Sequence, residues 1–139
     1  MKRWLLDTSA LLTLRDDEPG AADVADVLSL ASAETTIAYA CFMTLVEVHY
    51  RVWKDENERA GILARQQVLE LPLTWVNQSP ELMIAAAKWK ATTNISLADA
   101  WIAAAAELQG AVLMHKDPEF SPLPLPQHVL PLKPSRGNK

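Results

Sequence analysis

One cysteine, Cys41, is all that the 139 residues contain. An internal disulfide is thereby excluded, as is any zinc site built from several thiolates, and a reducing cytoplasm is the expected compartment. Long apolar runs are missing too. No uncharged stretch approaches the roughly 18 to 20 residues of a membrane span, and the opening Met1-Lys2-Arg3-Trp4-Leu5-Leu6 is cut short by Asp7 before it can act as a signal sequence. A soluble chain with no membrane attachment is expected. Positive charge is the third shortage: 13 Lys and Arg stand against 17 Asp and Glu, a net charge of −4, which by itself argues against a polyanionic partner. Any metal held here must take oxygen or imidazole ligands.

What is present is enough for one core: 50% of the residues are hydrophobic in a chain of 15.4 kDa. Short apolar runs alternate with longer helical patterns, the signature of βαβ units on a parallel sheet. Strands are expected at residues 3–6, 35–39, 73–76 and 111–114, with a last edge strand at 128–132. Helices are expected at 21–31, 43–54, 56–69, 80–91 and 97–109, the fourth behind Ser79 as N-cap with Pro80 at its first position, the fifth stopped by Gly110. The result is an α/β fold with a central parallel sheet of four or five strands. No linker or repeat divides it, so residues 1–134 form a single domain. Six of the nine prolines fall from Pro118 onward, so that segment is expected to run extended over the surface. Residues 135–139 are expected to be a flexible tail.

Four carboxylates, Asp7, Glu47, Asp99 and Asp117, lie where one element gives way to the next. Each has an ordinary explanation. Asp7 ends the apolar run Trp4-Leu5-Leu6 and can cap a short helix; Glu47 completes Thr44-Leu45-Val46-Glu47, a possible capping box, and can pair with Arg51 one turn on. Asp99 completes a second possible capping box from Ser96, and Asp117 before Pro118 can open a turn. The explanation is weakest for Asp99. The helix it opens, Ala100-Trp101-Ile102-Ala103-Ala104-Ala105-Ala106, is apolar nearly all round, so a charge beside it calls for a buried partner. Asp7 and Asp117 both follow strands, and the carboxyl ends of strands are where open α/β sheets gather ligand groups. Setting the four acids aside leaves 13 acids against 13 bases, and bound divalent cations would offset the rest, so acidity does not exclude RNA or DNA.

Taken in order, Trp4-Leu-Leu-Asp-Thr-Ser-Ala-Leu-Leu, Thr44-Leu-Val-Glu-Val, Ile95-Ser-Leu-Ala-Asp-Ala-Trp-Ile-Ala-Ala-Ala-Ala and Leu113-Met-His-Lys-Asp-Pro-Glu-Phe resemble the motifs of the PIN-domain family. The nearest likeness is to VapC-type toxins of bacterial toxin–antitoxin pairs, and it runs from Leu5 to about Leu132. The resemblance implies a three-layer α/β/α sandwich and a metal-dependent endoribonuclease, usually a homodimer, silenced by a small cognate antitoxin. It also implies that Asp7, Glu47, Asp99 and Asp117 form the acidic catalytic site for Mg²⁺ or Mn²⁺, with Ser9 as the small hydroxyl residue beside the first acid. His115 stands where the family usually has a hydroxyl residue, and is expected to support the site by meeting a phosphate or altering metal affinity.

The residue types suit that chemistry. Hard divalent cations prefer carboxylate oxygens, and a metal-bound water with lowered pKa can attack a phosphodiester. Arg51, Lys54, Arg15 and Lys116 are the basic residues nearest the acids in sequence and the candidates for RNA phosphates. The apolar positions between Met43 and Leu69 are a candidate antitoxin groove. A haloacid-dehalogenase-type phosphatase would need a second Asp where Ser9 stands, and a receiver domain an Asp where Tyr39 or Asn77 stands. A catalytically idle PIN-like module that binds RNA or a protein is the other reading, kept open by His115.

Overall fold

The computed structural model describes residues 1–132, so the expected tail at 135–139 and the end of the proposed domain at 134 lie outside the described residues. Strands β1 (Lys2–Leu6), β2 (Thr36–Cys41), β3 (Thr74–Val76), β4 (Val112–His115) and β5 (Gln127–Val129) form one sheet in the order β3-β2-β1-β4-β5. All four pairings are parallel. At the centre Leu5 of β1 lies opposite Tyr39 on one side and Leu113 on the other.

Successive strand residues point to opposite faces, and the helices divide accordingly. Leu5 and Leu113 meet α5 (Pro80–Thr92) and α6 (Leu97–Gln109) through Leu82, Ala86, Ile102 and Ala103. Leu6 and Met114 face the other way. They pack with α1 (Thr8–Arg15), α2 (Ala21–Ser32), α3 (Phe42–Asp55) and α4 (Glu58–Leu69) through Leu11, Val24, Val48 and Ala64. The molecule is therefore a three-layer α/β/α sandwich, with one apolar core on each side of the sheet.

Local signals explain most boundaries. Ser79, Asn57 and Ser96 each accept a backbone N–H at the start of α5, α4 and α6, Pro80 occupies the first turn of α5, and Gly110 ends α6 in the left-handed conformation at φ 58°. Two expectations are corrected. Thr44 is no cap: β2 passes directly into α3 with Cys41 as N-cap, which puts Thr44 inside the first turn, buried. The proline-rich end does run along the surface with its described prolines exposed, but it is neither fully extended nor unanchored. After a 3₁₀ turn at Pro118–Phe120 it buries Phe120, Leu123 and Leu130, because apolar residues spaced between the prolines complete the edge of both cores. Its strand, β5, starts at Gln127, one residue before the expected position, and ends before Pro131, which has no N–H for a ladder.

Helices α3 and α4 approach closely at Gly61. A Cβ there falls 2.8 Å from the His49 carbonyl oxygen and 2.8 Å from the Trp53 Cβ. Gly61→Ala is expected to cost about 1 to 3 kcal/mol in urea unfolding; an unchanged midpoint would show that the two helices separate freely.

Candidate metal centre

Because every strand runs the same way, all carboxyl ends share one edge of the sheet. The chain leaves β1 toward β2 and β3 on one side, while β4 and β5 lie on the other. That reversal creates a crevice at the end of β1, the place where α/β sheets bind ligands. Asp7 directly follows β1, Asp117 follows β4, the first turn of α6 brings Asp99, and α3 brings Glu47. Asp7, Glu47 and Asp99 are buried.

Each acid is held by a specific contact. Asp7 caps α1: its Oδ1 accepts the Ala10 N–H at 2.8 Å, and the Ser9 hydroxyl lies 2.7 and 2.8 Å from its two oxygens. Ser9 Oγ also accepts the Lys116 N–H at 2.9 Å, so one hydroxyl ties the end of β1 to the end of β4. Glu47 Oε1 accepts from the Thr8 hydroxyl at 2.7 Å, with the Thr44 hydroxyl 3.2 Å from that of Thr8. Arg51 Nη2 lies 3.5 Å from its other oxygen, the i,i+4 pair read from the sequence. Thr8 and Thr44 carried no signal as site residues. Their role depends on α1 and α3 lying side by side.

Asp99 donates its backbone N–H to Ser96 Oγ at 3.2 Å, the first half of a capping box. The second half is taken by another residue: Glu119 Oε1 accepts the Ser96 N–H at 2.6 Å. The Asp99 carboxylate is thereby released from capping. Asp117 Oδ1 accepts the Glu119 N–H at 2.9 Å, and Asp99, Asp117 and Glu119 each bring a carboxylate oxygen to within 4.8 Å of the others. Glu119 was absent from the expected set. Its signal was an acid two residues after Asp117 across Pro118, which the 3₁₀ turn folds back toward Asp99.

Electrostatics extend the group beyond these three. Burial pushes the Asp7 carboxyl up to about 7, against the lowering effect of its bonds from Ser9 and Ala10, with Asp117 and Glu47 raising it further. Burial likewise pushes Asp99 up to about 8, with the charges of Asp117, Glu119, Glu47 and Asp7 adding to the rise. Five carboxylates therefore share one field. A donor set of carboxylate oxygens alone fits a hard divalent cation such as Mg²⁺ or Mn²⁺.

His115 corrects an expectation. It is fully buried, its Nδ1 accepts the Asp117 N–H at 3.0 Å, and its Nε2 lies 2.7 Å from Gln127 Oε1. This network assigns the neutral Nε2–H tautomer, and burial lowers the pKa of the ring. Both nitrogens are occupied, so the imidazole braces the Asp117 backbone and offers nothing to a phosphate. Two of the four candidate RNA-binding cations are also engaged elsewhere. Arg15 pairs with Glu56 at 2.8 Å and Asp16 at 2.9 Å, and the Lys116 ammonium, on a side chain only 10% exposed, meets Glu18 at 3.3 Å and the Pro19 carbonyl at 3.0 Å. Arg51, with its side chain 40% exposed, and Lys54 stay open to solvent.

Fold and donor set together define an α/β domain with a cluster of carboxylates at its sheet edge. Residues 4–124 match the family model of the PIN domain, and the chain belongs to that family, which is one of nucleases. Among solved structures it is similar to VapBC2 from Rickettsia felis bound to a promoter DNA fragment, with a TM-score of 0.74 and 17% identity over 93% of this chain and 99% of that one. The DNA-bound VapBC of Salmonella typhimurium gives a TM-score of 0.73 and 18% identity, over 93% and 98% of the two chains. VapC20 of Mycobacterium tuberculosis, a sarcin–ricin loop cleaving toxin, gives 0.67 and 16%, over 94% and 98%. At these identities the likeness is one of fold. No curated protein matches by sequence. Among the described residues no helix is long and apolar enough to cross a membrane.

The raised carboxyls set a pH dependence. Above the ordinary value of 3.8 the unfolded chain releases protons that folded Asp99 and Asp7 keep until about pH 8 and 7. Their stabilising contribution is full below about pH 4 and lost as pH rises through those values. In thermal melts with chelator, Asp99→Asn is expected to exceed the native protein by a few degrees at about pH 8.5 and by much less at about pH 5. Equal melting temperatures at both pH values would show that Asp99 ionises without cost.

Proposed function

We propose that this chain is a divalent-metal-dependent endoribonuclease and the toxin of a toxin–antitoxin pair. The observation that carries the reading is the convergence of Asp99, Asp117 and Glu119 to within 4.8 Å at the sheet edge, with Asp7 and Glu47 inside the same field. Asp7, Asp99 and Asp117 would be the principal residues to hold Mg²⁺ or Mn²⁺, with Glu47 and Glu119 in support. When bound, the cation supplies a coordinated water of lowered pKa and stabilises charge on the phosphate.

The chain's own groups do the rest. Ser9 and the Ala10 N–H fix one face of Asp7, Thr8 fixes Glu47, and Glu119 keeps the Asp99 carboxylate clear of its helix cap. Arg51 stands at the rim beside Glu47 and can meet a neighbouring RNA phosphate, with Lys54 one turn further along α3. Helices α1 and α6 both begin beside the carboxylates, where their amino-end dipoles would favour an anionic substrate.

Toxin status rests on the kind of structures this fold resembles, which include VapBC pairs. The cognate antitoxin would cover the exposed apolar side chains Val46, Tyr50, Trp53 and Leu63 on α3 and α4. A homodimer and a cytoplasmic location belong to the same reading, and Met83 and Ile84 on α5 give a dimer an exposed apolar face.

The test is cleavage of structured RNA with Mg²⁺ or Mn²⁺. Activity is expected to vanish with chelator and to fall about 10² to 10³-fold in Asp7→Asn and Asp99→Asn. Cleavage that survives both substitutions contradicts the mechanism. RNA or protein binding with no cleavage by the native chain would favour the idle module.

A further inference from the structure

We propose that the cleft between the α5–α6 loop and the segment after Phe120 is a pocket for the nucleobase next to the scissile phosphate, an inference that rests on the ribonuclease reading. The cleft has a volume of about 440 Å³ and is lined by Thr93, Asn94, Glu119, Pro122, Leu123 and Pro124 among others, a size suited to a small planar ligand. Its position carries the argument. Glu119 belongs both to this wall and to the carboxylate trio with Asp99 and Asp117. A nucleotide whose phosphate meets the cation site therefore has its base within reach of the cleft.

The wall chemistry selects a base over a phosphate. Among the described residues no Lys or Arg lines the cleft, and Glu119 repels anions. Pro122, Pro124 and Leu123 offer apolar faces to a planar ring. The Asn94 side chain is exposed and makes no hydrogen bond within the described residues, so its amide has donors and an acceptor free for a base edge. A carboxylate in the wall can accept from an exocyclic amine, so cytosine or adenine is preferred over uracil.

Both walls are pinned before any ligand arrives. The Thr93 N–H and hydroxyl donate to the Trp89 carbonyl at 3.1 and 2.6 Å, and the Lys90 ammonium donates to the Ile95 carbonyl at 2.9 Å. Opposite, the Gln127 amide donates to the carbonyls of Phe120 and Leu123 at 2.8 and 3.0 Å while its oxygen meets His115. The cleft is therefore preformed, and a base entering it costs little ordering of the protein.

The test uses the full chain with chelator, titrated with cytidine, adenosine, uridine and ribose and followed by the backbone amide NMR signals of Thr93, Asn94 and Leu123. Saturable shifts are expected with cytidine or adenosine, with uridine and ribose about tenfold weaker. Asn94→Ala, an exposed change that leaves other signals in place, is expected to weaken the preferred nucleoside about tenfold. Equal affinity for ribose, shifts confined to other residues, or an unaffected Asn94→Ala variant overturns the pocket. RNA cleavage measured in parallel separates the two claims: cleavage without these shifts sinks the pocket alone. Shifts without cleavage support a base site and sink the ribonuclease reading.

Discussion

Mutual repulsion among Asp7, Glu47, Asp99, Asp117 and Glu119 is the constraint to which the rest of the molecule answers. Among the described residues only Arg51 makes an ion pair with any of them, at 3.5 Å from Glu47. Three of the five are buried, where an unpaired charge is most costly. The two apolar cores on either face of the sheet supply the stability that allows this edge to stay unneutralised. Without a cation the protein lowers the cost by keeping protons on Asp7 and Asp99.

Repelling groups stay together only if each is tethered, and the tethers form a continuous frame. Ser9 joins Asp7 to the β4 loop, Thr8 joins Glu47 to α1, and Glu119 joins that loop to the cap of α6. Behind them His115 and Gln127 connect the backbone of Asp117 to the proline-rich segment. The Gln127 contacts to His115 and Phe120 serve the Asp117 backbone and one wall of the neighbouring cleft alike. The carboxylate cluster and the cleft thus share Glu119 and the Gln127 brace.

Strand and helix positions were legible in the sequence because each apolar run matched one period and one layer. Leu5-Leu6 and Leu113-Met114 split between the two faces as β alternation demands. Asp7, Asp99 and Asp117 were legible by their places at element ends, whereas Glu47, inside α3, was legible by its i,i+4 partner Arg51 and by the ordered set of motifs. What the sequence hid depends on contacts between distant segments. Thr8 meets Thr44 and Glu47 only when α1 lies on α3, and Glu119 reaches Ser96 only after the 3₁₀ turn. The engagement of Lys116 with Glu18 likewise spans segments far apart in the chain. The proline-rich end was legible as a surface segment from its prolines, but not its inward anchors Phe120, Leu123 and Leu130.

The central claim is that the carboxylate edge keeps protons until a divalent cation replaces them. Calorimetric titration of Mn²⁺ into the chelator-treated protein at about pH 7, in two buffers of different ionisation enthalpy, counts the protons released. Release of roughly one to two protons per bound ion is expected, with affinity rising from about pH 6 to pH 8. Binding without proton release, or no binding at millimolar Mn²⁺, would contradict it.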